Sequence, residues 1–291
     1  MGQLTVLEGG LFTTVQDAGR FGFRKYGVPI SGAMDELSYK NANELVQNPR
    51  GNPVLECTLI GGSYRFNSPA CIAITGGNME PEINEISVNQ DETIFVKKGD
   101  VLTLKSASRG CRTYIGISGK WNLKPILGSF STNVQSKFGG IDGRTLQAGD
   151  VLQWQEASIK PSFNFLPKDQ ISYYSSKITI ELEEGPEFDW IDKELKEKLF
   201  NSSFLLGSKS NRMAIRLESD IPVNAPIEQM KSAPVMPGIV QLPPNGKPII
   251  LMKDAQTVGG YPRIGIISDY YLSVLAQIPP NGIVRFKKRD A

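Results

Sequence analysis

Cys111-Arg112-Thr113-Tyr114-Ile115-Gly116-Ile117 is the stretch on which the reading of the fold rests. Cys111, Thr113, Ile115 and Ile117 recur at period two, the spacing that lays one face of a β-strand against a core. The same alternation returns at Ile178, Ile180 and Leu182, and at Met213, Ile215 and Leu217. Turn chemistry separates these runs. Lys98-Gly99-Asp100-Val101-Leu102 and Ala148-Gly149-Asp150-Val151-Leu152 are near-copies, each a Gly-Asp turn feeding an apolar strand. Gln241-Leu242-Pro243-Pro244-Asn245-Gly246 and Gln277-Ile278-Pro279-Pro280-Asn281-Gly282 form a second pair. The sequence between the copies does not match, so they are recurring turns rather than a solenoid repeat.

Helices are few. Met34 to about Val46 reads as one, with Ser31 or Gly32 available to cap it. Glu187 to Leu199 reads as a second, with Phe188, Ile191, Leu195 and Leu199 along one face, Pro186 at the entry and acids in the first turn. Asp269 to Gln277 reads as a third. The expected class is therefore all-β with a few short helices. Residues 155–176 mix polar and aromatic side chains, contain Pro161 and Pro167, and lack sustained periodicity. They read as a link, giving an N-terminal domain over 1–160, a linker over 161–176 and a C-terminal domain over 177–291.

The composition excludes more than it proposes. The 291 residues carry 32 Lys+Arg against 30 Asp+Glu, a balance unlike that of a protein built to neutralise nucleic-acid phosphates. Apolar residues at 40% supply ample core, and abundant Gly (29) and Pro (19) supply turns. Histidine is absent. Without it there is no Ser-His-Asp or Cys-His catalytic arrangement, no His-ligated metal and no imidazole base. Cys57, Cys71 and Cys111 are widely spaced, which argues against a disulfide framework or thiolate metal site; Cys71 reads as a reduced core thiol. The N-terminus lacks a basic, apolar signal pattern, and Val6 stands where a myristoylation motif needs Ser or Thr. No apolar run approaches the ~18 residues of a membrane span. The chain reads as cytoplasmic, with no membrane or nucleic-acid partner and Asn201-Ser202-Ser203 unused as a glycosylation site.

Familiar nucleotide and serine-nucleophile motifs are missing, as are acidic metal clusters, so no metal is expected in this chain. Three polar, glycine-rich stretches remain. Gly10 to Arg20 places Thr14, Gln16, Asp17 and Arg20 within seven residues. Gly27 to Asp35 is a turn leading into a helix start, where free N–H groups favour anions. Pro237 to Pro248 continues through Asp254-Ala255-Gln256-Thr257-Val258-Gly259-Gly260-Tyr261-Pro262-Arg263. Each also has a plainer reading as turns and strand caps. In combination, Arg20 or Arg263 suits a substrate carboxylate. Asp17 or Asp254 suits a base or a water-orienting group, and the amides and Tyr261 suit a carbonyl oxygen. The candidate site gathers Gln256, Thr257, Tyr261 and Arg263 opposite Thr14, Gln16, Asp17 and Arg20.

Those stretches, with Gly128-Ser129-Phe130-Ser131-Thr132, Gly143 to Asp150 and Asn211 to Leu217, resemble the biotin-dependent carboxyltransferase-like family. This family is also called allophanate hydrolase subunit two, or KipA. Gln256 to Arg263 is the most specific part, and the resemblance runs nearly end to end. Two departures, Ala214 and Lys120 where glycines are usual, look like turn or packing changes. The resemblance implies two tandem cyclophilin-like β-barrel domains. It implies a role as the C subunit of an ATP-dependent 5-oxoprolinase, which opens the 5-oxoproline lactam to L-glutamate. The partners implied are a KipI-like B subunit and a LamB/YcsF-like A subunit. A lactam is a poor electrophile, and phosphorylating its oxygen creates a leaving group that water can displace. With no phosphate loop here, ATP is expected mainly on another polypeptide of the complex, or at a site that no familiar motif marks. Two rival roles stand beside it: carboxyl transfer in a urea carboxylase, and a KipA-type regulator binding a KipI-like kinase inhibitor. Lys231 lies in Met230-Lys231-Ser232 rather than the Met-Lys-Met of a biotinyl lysine, so biotin is not expected on this chain.

Overall fold

The structure, a computed structural model, describes residues 1–157, 161–168, 174–218 and 230–289. The chain forms two compact units: Met1–Arg20 with Ser31–Tyr174, and Phe21–Ile30 with Ser175–Ala291. The second unit thus owns a short strap cut from the first unit's span. As the alternation foretold, the described residues are mostly strand, with three short α-helices among them.

In the first unit a seven-stranded sheet runs in the order Lys120–Trp121, Val151–Gln155, Gly2–Glu8, Ser63–Phe66, Val101–Thr103, Glu82–Ile83 and Ile86–Ser87. A five-stranded sheet runs Phe12–Gln16, Val54–Thr58, Arg109–Ile117, Ala70–Asn78 and Thr93–Val96. Leu4, Tyr64, Phe66 and Trp154 from the first sheet share one core with Leu55, Ile72, Ile74 and Ile115 from the second. Helix α1 (Glu36–Leu45) covers the five-stranded sheet's other face, packing Tyr39 and Ala42 on Val54 and Tyr114. That second cover explains why the strand Ala70–Asn78 opens on the unbroken apolar run Ala70-Cys71-Ile72-Ala73-Ile74. It also explains Gly116: a Cβ there would lie 2.7 Å from the Ala42 carbonyl oxygen.

The repeated Gly-Asp turns are one solution used twice. Asp100 Oδ2 accepts from Lys97 N and Asp150 Oδ2 from Gln147 N, at 2.7 and 2.8 Å. Gly99 and Gly149 both adopt φ above +90°, which an L side chain disfavours.

In the second unit the strands Lys177–Glu184, Arg263–Ile266, Ile239–Gln241, Ile249–Leu251, Ala214–Glu218, Phe204–Leu206 and Ile283–Lys288 close into a barrel. Closure comes from parallel pairing of the first strand with the last. Ile180, Leu182, Leu217, Val240, Ile250, Ile264, Val284 and Phe286 are buried.

Several expectations need correction. Helix α1 begins at Glu36, and its cap is Asp35, whose side chain accepts from Ser38 N, rather than Ser31 or Gly32. The helix expected over Glu187–Leu199 is broken. Phe188–Trp190 is a 3-10 turn, Ile191 is extended, and α2 (Lys193–Asn201) starts afresh behind its cap Asp192. Asp192 draws the Leu195 N–H to its carboxylate and so resets the helix, although Phe188, Ile191, Leu195 and Leu199 are buried as foreseen. Helix α3 spans Asp269–Leu275. Of the expected link, 158–160 and 169–173 lie outside the described residues. Its residues 161–168 are tied to the first unit, where Leu166 N donates to Asp91 O and Leu166 packs beside Leu45 and Cys71, whereas Ser175 and Ser176 belong to the second.

Candidate active site

In the first unit Phe12–Gln16 delivers Thr14, Gln16 and, one residue on, Asp17 into buried positions. Gln16 Nε2 donates to Thr14 Oγ1 at 2.9 Å and to the Thr132 carbonyl at 3.1 Å. Its Oε1 is a buried acceptor without a hydrogen-bond partner among the described residues. The Asp17 carboxylate is encircled: it accepts from Gly19 N, Ser129 Oγ, Ser131 Oγ and Phe130 N at 2.8, 2.7, 2.5 and 2.6 Å. Arg20 reaches the same loop, donating from Nη2 to Ser131 O at 2.5 Å and lying 4.5 Å over the Phe138 ring. The Gly128–Thr132 motif is therefore the counterpart of Asp17 and Arg20, which brace it.

Gly27 to Asp35 also resolves into a filled site. The N–H groups expected to favour anions already have resident acceptors. Glu56 Oε2 takes Met34 N at 2.7 Å, the Tyr114 hydroxyl takes Asp35 N at 2.8 Å, and Asp35 takes Ser38 N at 3.1 Å. Tyr114 in turn donates to Glu56 at 2.9 Å. Burial first, then the Glu56 charge, push the Tyr114 phenol well above its ordinary value, so it remains a donor. Sequence reasoning passed over Glu56. Its signal was a carboxylate inside the apolar run Val54-Leu55-Glu56-Cys57.

In the second unit Gln256–Arg263 bridges from the strand Ile249–Leu251 to the strand Arg263–Ile266 and is pinned along its length. Asp254 forms a two-point pair with Arg212, Nε to Oδ2 at 2.8 Å and Nη2 to Oδ1 at 3.2 Å, both residues buried. Thr257 O accepts from Val235 N, and Val258–Gly259 pairs with Ala233–Pro234. Tyr261 O accepts from the buried Gln241 amide at 3.1 Å. A Cβ on Gly259 would lie 2.7 Å from that amide, so a side chain there would have to displace it. Arg263 gives its fork to Glu187, Nε to Oε2 at 2.8 Å and Nη2 to Oε1 at 2.6 Å, while Nη1 donates to Pro234 O. That guanidinium holds the Glu187 carboxyl below its ordinary value. The Tyr261 side chain is left exposed, at 46%.

This braced segment carries the most specific of the motifs quoted above, and the match extends far beyond it. The family model described as carboxyltransferase domain, subdomain A and B, matches residues 26–288. The chain belongs to that family.

Among individual relatives, the C subunit of 5-oxoprolinase from Escherichia coli (strain K12) is 36% identical over 283 residues, covering 97% of this chain and 90% of that protein. The Haemophilus influenzae protein of the same name is 33% identical, covering 94% and 87%. Among solved structures, the Kluyveromyces lactis urea carboxylase superposes with a TM-score of 0.90 at 29% identity over 98% of this chain. The chain spans 27% of that larger polypeptide.

For a member of this family the chemical inventory is plain. The two groups of candidate residues belong to different units: Thr14, Gln16, Asp17 and Arg20 to the first, Asp254, Gln256, Thr257, Tyr261 and Arg263 to the second. Asp17, Arg20, Asp254 and Arg263 have their charges engaged within the protein. Among the described residues no group of three His, Cys, Asp or Glu is placed to hold a metal ion, and no helix is long and apolar enough to cross a membrane. Arg24, which sequence reasoning also passed over, belongs to the second unit, where its Nη2 donates to Val235 O and Gln256 O.

Proposed function

We propose that this chain is the C subunit of an ATP-hydrolysing 5-oxoprolinase, a cytoplasmic enzyme that opens the 5-oxoproline lactam to L-glutamate. It works there with a KipI-like B subunit and a LamB/YcsF-like A subunit. One observation carries the reading. Two relatives named as the C subunit of 5-oxoprolinase match almost end to end, at up to 36% identity. The chain builds no phosphate loop, so ATP is assigned to another polypeptide of the complex and no step here passes through it. Three buried, free cysteines suit a reducing compartment.

In this reading Asp17, Arg20, Asp254 and Arg263 hold the loops of the site in shape. Asp17, Asp254 and Arg263 have their polar atoms engaged within the protein, which leaves a poor general base or anion grip, and Arg20 is tied to the Ser131 carbonyl and the Phe138 ring. Thr14 and Gln16 line the braced first-unit loop. Gln256, Thr257 and Tyr261 are the groups assigned to substrate, on a segment whose backbone is fixed at several points. Fixed dipoles of this kind bind and orient without reorganising.

The test is 5-oxoproline-dependent ATP hydrolysis by purified subunits, alone and recombined. Turnover is expected only from the recombined enzyme, with this chain co-eluting with its KipI-like partner. Turnover by this chain alone overturns the subunit reading. A second reading, carboxyl transfer to urea, draws on the urea carboxylase superposition. It requires biotin on another protein, because Lys231 follows Met230 but precedes Ser232. Urea-dependent consumption of a carboxybiotinyl carrier, without 5-oxoproline turnover, would favour it.

A further inference from the structure

Three partly or fully covered arginines of the second unit are treated differently. Arg212 is matched to Asp254, and Arg263 to Glu187. Arg24, in the 3-10 turn Arg24–Tyr26, has no carboxylate among its described partners. Among the described residues both of its hydrogen bonds leave from Nη2, toward the carbonyls of Val235 and, at 3.1 Å, Gln256. Nη1 is shielded from solvent and has no hydrogen-bond partner among the described residues. Burial lowers the pKa of this guanidinium from its ordinary value.

A covered guanidinium with no counter-charge costs stability unless something supplies the charge. Here the cost falls at a telling place. The carbonyls that anchor Nη2 belong to the two chain segments joined by the Val235 N to Thr257 O bond, at the start of Gln256–Arg263. The anchors fix one end of the fork and leave the other shielded and uncommitted. Planar guanidinium is the side chain best matched to a carboxylate.

We propose that Arg24 is the anion-binding residue of this site, its Nη1 receiving a carboxylate oxygen of the substrate. The inference deepens the 5-oxoprolinase reading and rests on it for the substrate: 5-oxoproline carries a carboxylate that does not react, whereas urea carries none. The alternatives Arg212 and Arg263 are neutralised by resident carboxylates. Arg24 thus selects a carboxylate-bearing lactam over a neutral one.

The experiment compares wild type, Arg24→Gln and Arg24→Lys in the recombined enzyme, with 5-oxoproline and the neutral lactam 2-pyrrolidinone as substrates. In parallel, phenylglyoxal modification of Arg24 in the wild-type complex is mapped by mass spectrometry, with and without each lactam. For Arg24→Gln the KM for 5-oxoproline is expected to rise about 10-fold or more with kcat little changed, since a charge-assisted bond is lost. Arg24→Lys should fall between, the preference over 2-pyrrolidinone should collapse, and 5-oxoproline alone should protect Arg24. Turnover with an unchanged KM in Arg24→Gln, or equal losses on both lactams, overturns the Arg24 assignment and leaves the enzyme reading intact. No turnover by any combination of subunits overturns the enzyme reading, and labelling then decides the site. Protection by 5-oxoproline but not 2-pyrrolidinone upholds it; no protection overturns it. The labelling uses unmodified protein, so a variant that fails to fold does not shelter the proposal.

Discussion

Asp17 and Asp254 look alike in the sequence, each a lone acid in a polar, glycine-rich stretch, yet the protein neutralises them by opposite means. Asp17 is surrounded by two serine hydroxyls and two backbone N–H groups. Asp254 faces a guanidinium. A ring of dipoles ties one carboxylate to three donors of the sequence-distant Gly128–Thr132 stretch and to the neighbouring Gly19. An ion pair ties two distant points of the chain, Arg212 and Asp254, together. The first should be tolerant of losing one member, because hydroxyls can turn to other acceptors. The second should fail abruptly, because removing one partner strands a buried charge.

The largest expected effect is therefore on the ion pair. Arg212→Ala should destabilise the protein by about 3–5 kcal/mol, as removal of one partner of a buried pair does. Replacing both residues by apolar ones of similar volume should recover much of that loss. Chemical unfolding of the single and double variants reads the difference. A loss below about 1 kcal/mol in Arg212→Ala would place the pair with exposed bridges, whose worth is small.

Asp17 comes next. Asp17→Ala leaves four donors without their acceptor, and about 2–3 kcal/mol is expected, given ~1–3 kcal/mol for each buried group left unsatisfied and partial rescue by rotating hydroxyls. Ser129→Ala alone should cost less than half as much, since three donors remain. If it costs as much as Asp17→Ala, the ring acts through that one hydroxyl and the contrast with Asp254 dissolves.

The contrast also marks what could be read in advance. Strand alternation and the twin Gly-Asp turns were legible because backbone geometry alone sets their patterns. The three candidate stretches were legible as clusters of polar residues beside glycine. Their partners were not. Nothing near Asp17 in sequence names Ser129 and Ser131, and nothing near Arg263 names Glu187; sheet closure brings them together. Glu187 was visible only as an acid in an expected helix's first turn, a role it does not have, since the helix restarts at Asp192. Arg24 lay beside a stretch already singled out but carries no motif. Its significance is that no carboxylate is among its described partners, which only three-dimensional placement shows.

A pH experiment separates ion pair from dipole ring in another way. The Arg263 guanidinium lowers the Glu187 pKa from its ordinary 4.5. A depressed carboxylate contributes stability that is present above its unfolded pKa and is lost as pH falls through its folded pKa. The stability difference between wild type and Glu187→Gln should hold near ~1.5–3 kcal/mol at neutral pH, the range for bonds to charged groups. It should then shrink as the pH falls below 4.5. Melting temperatures across pH 3–7 measure it, the window chosen around the usual glutamate range. A difference that stays constant through that window would mean that Arg263 holds Glu187 by shape rather than charge.

The smallest effect belongs to a fourth carboxylate, Asp192, which is exposed and engages Leu195 N at 2.8 Å. It caps α2 as Asp35 caps α1, but without the buried Ser38 hydroxyl and Tyr174 hydroxyl that also reach Asp35. Asp192→Ala removes one acceptor from a helix end and should cost about 1 kcal/mol. Asp192→Asn keeps an oxygen where the N–H needs it and should cost only a few tenths, because Asn caps about as well as Asp. Equal losses in the two variants would show that charge, acting on the helix dipole, outweighs the hydrogen bond. The expected inequality places Asp192 with Asp17: a carboxylate that the protein uses for where its oxygens sit, rather than for the charge they carry.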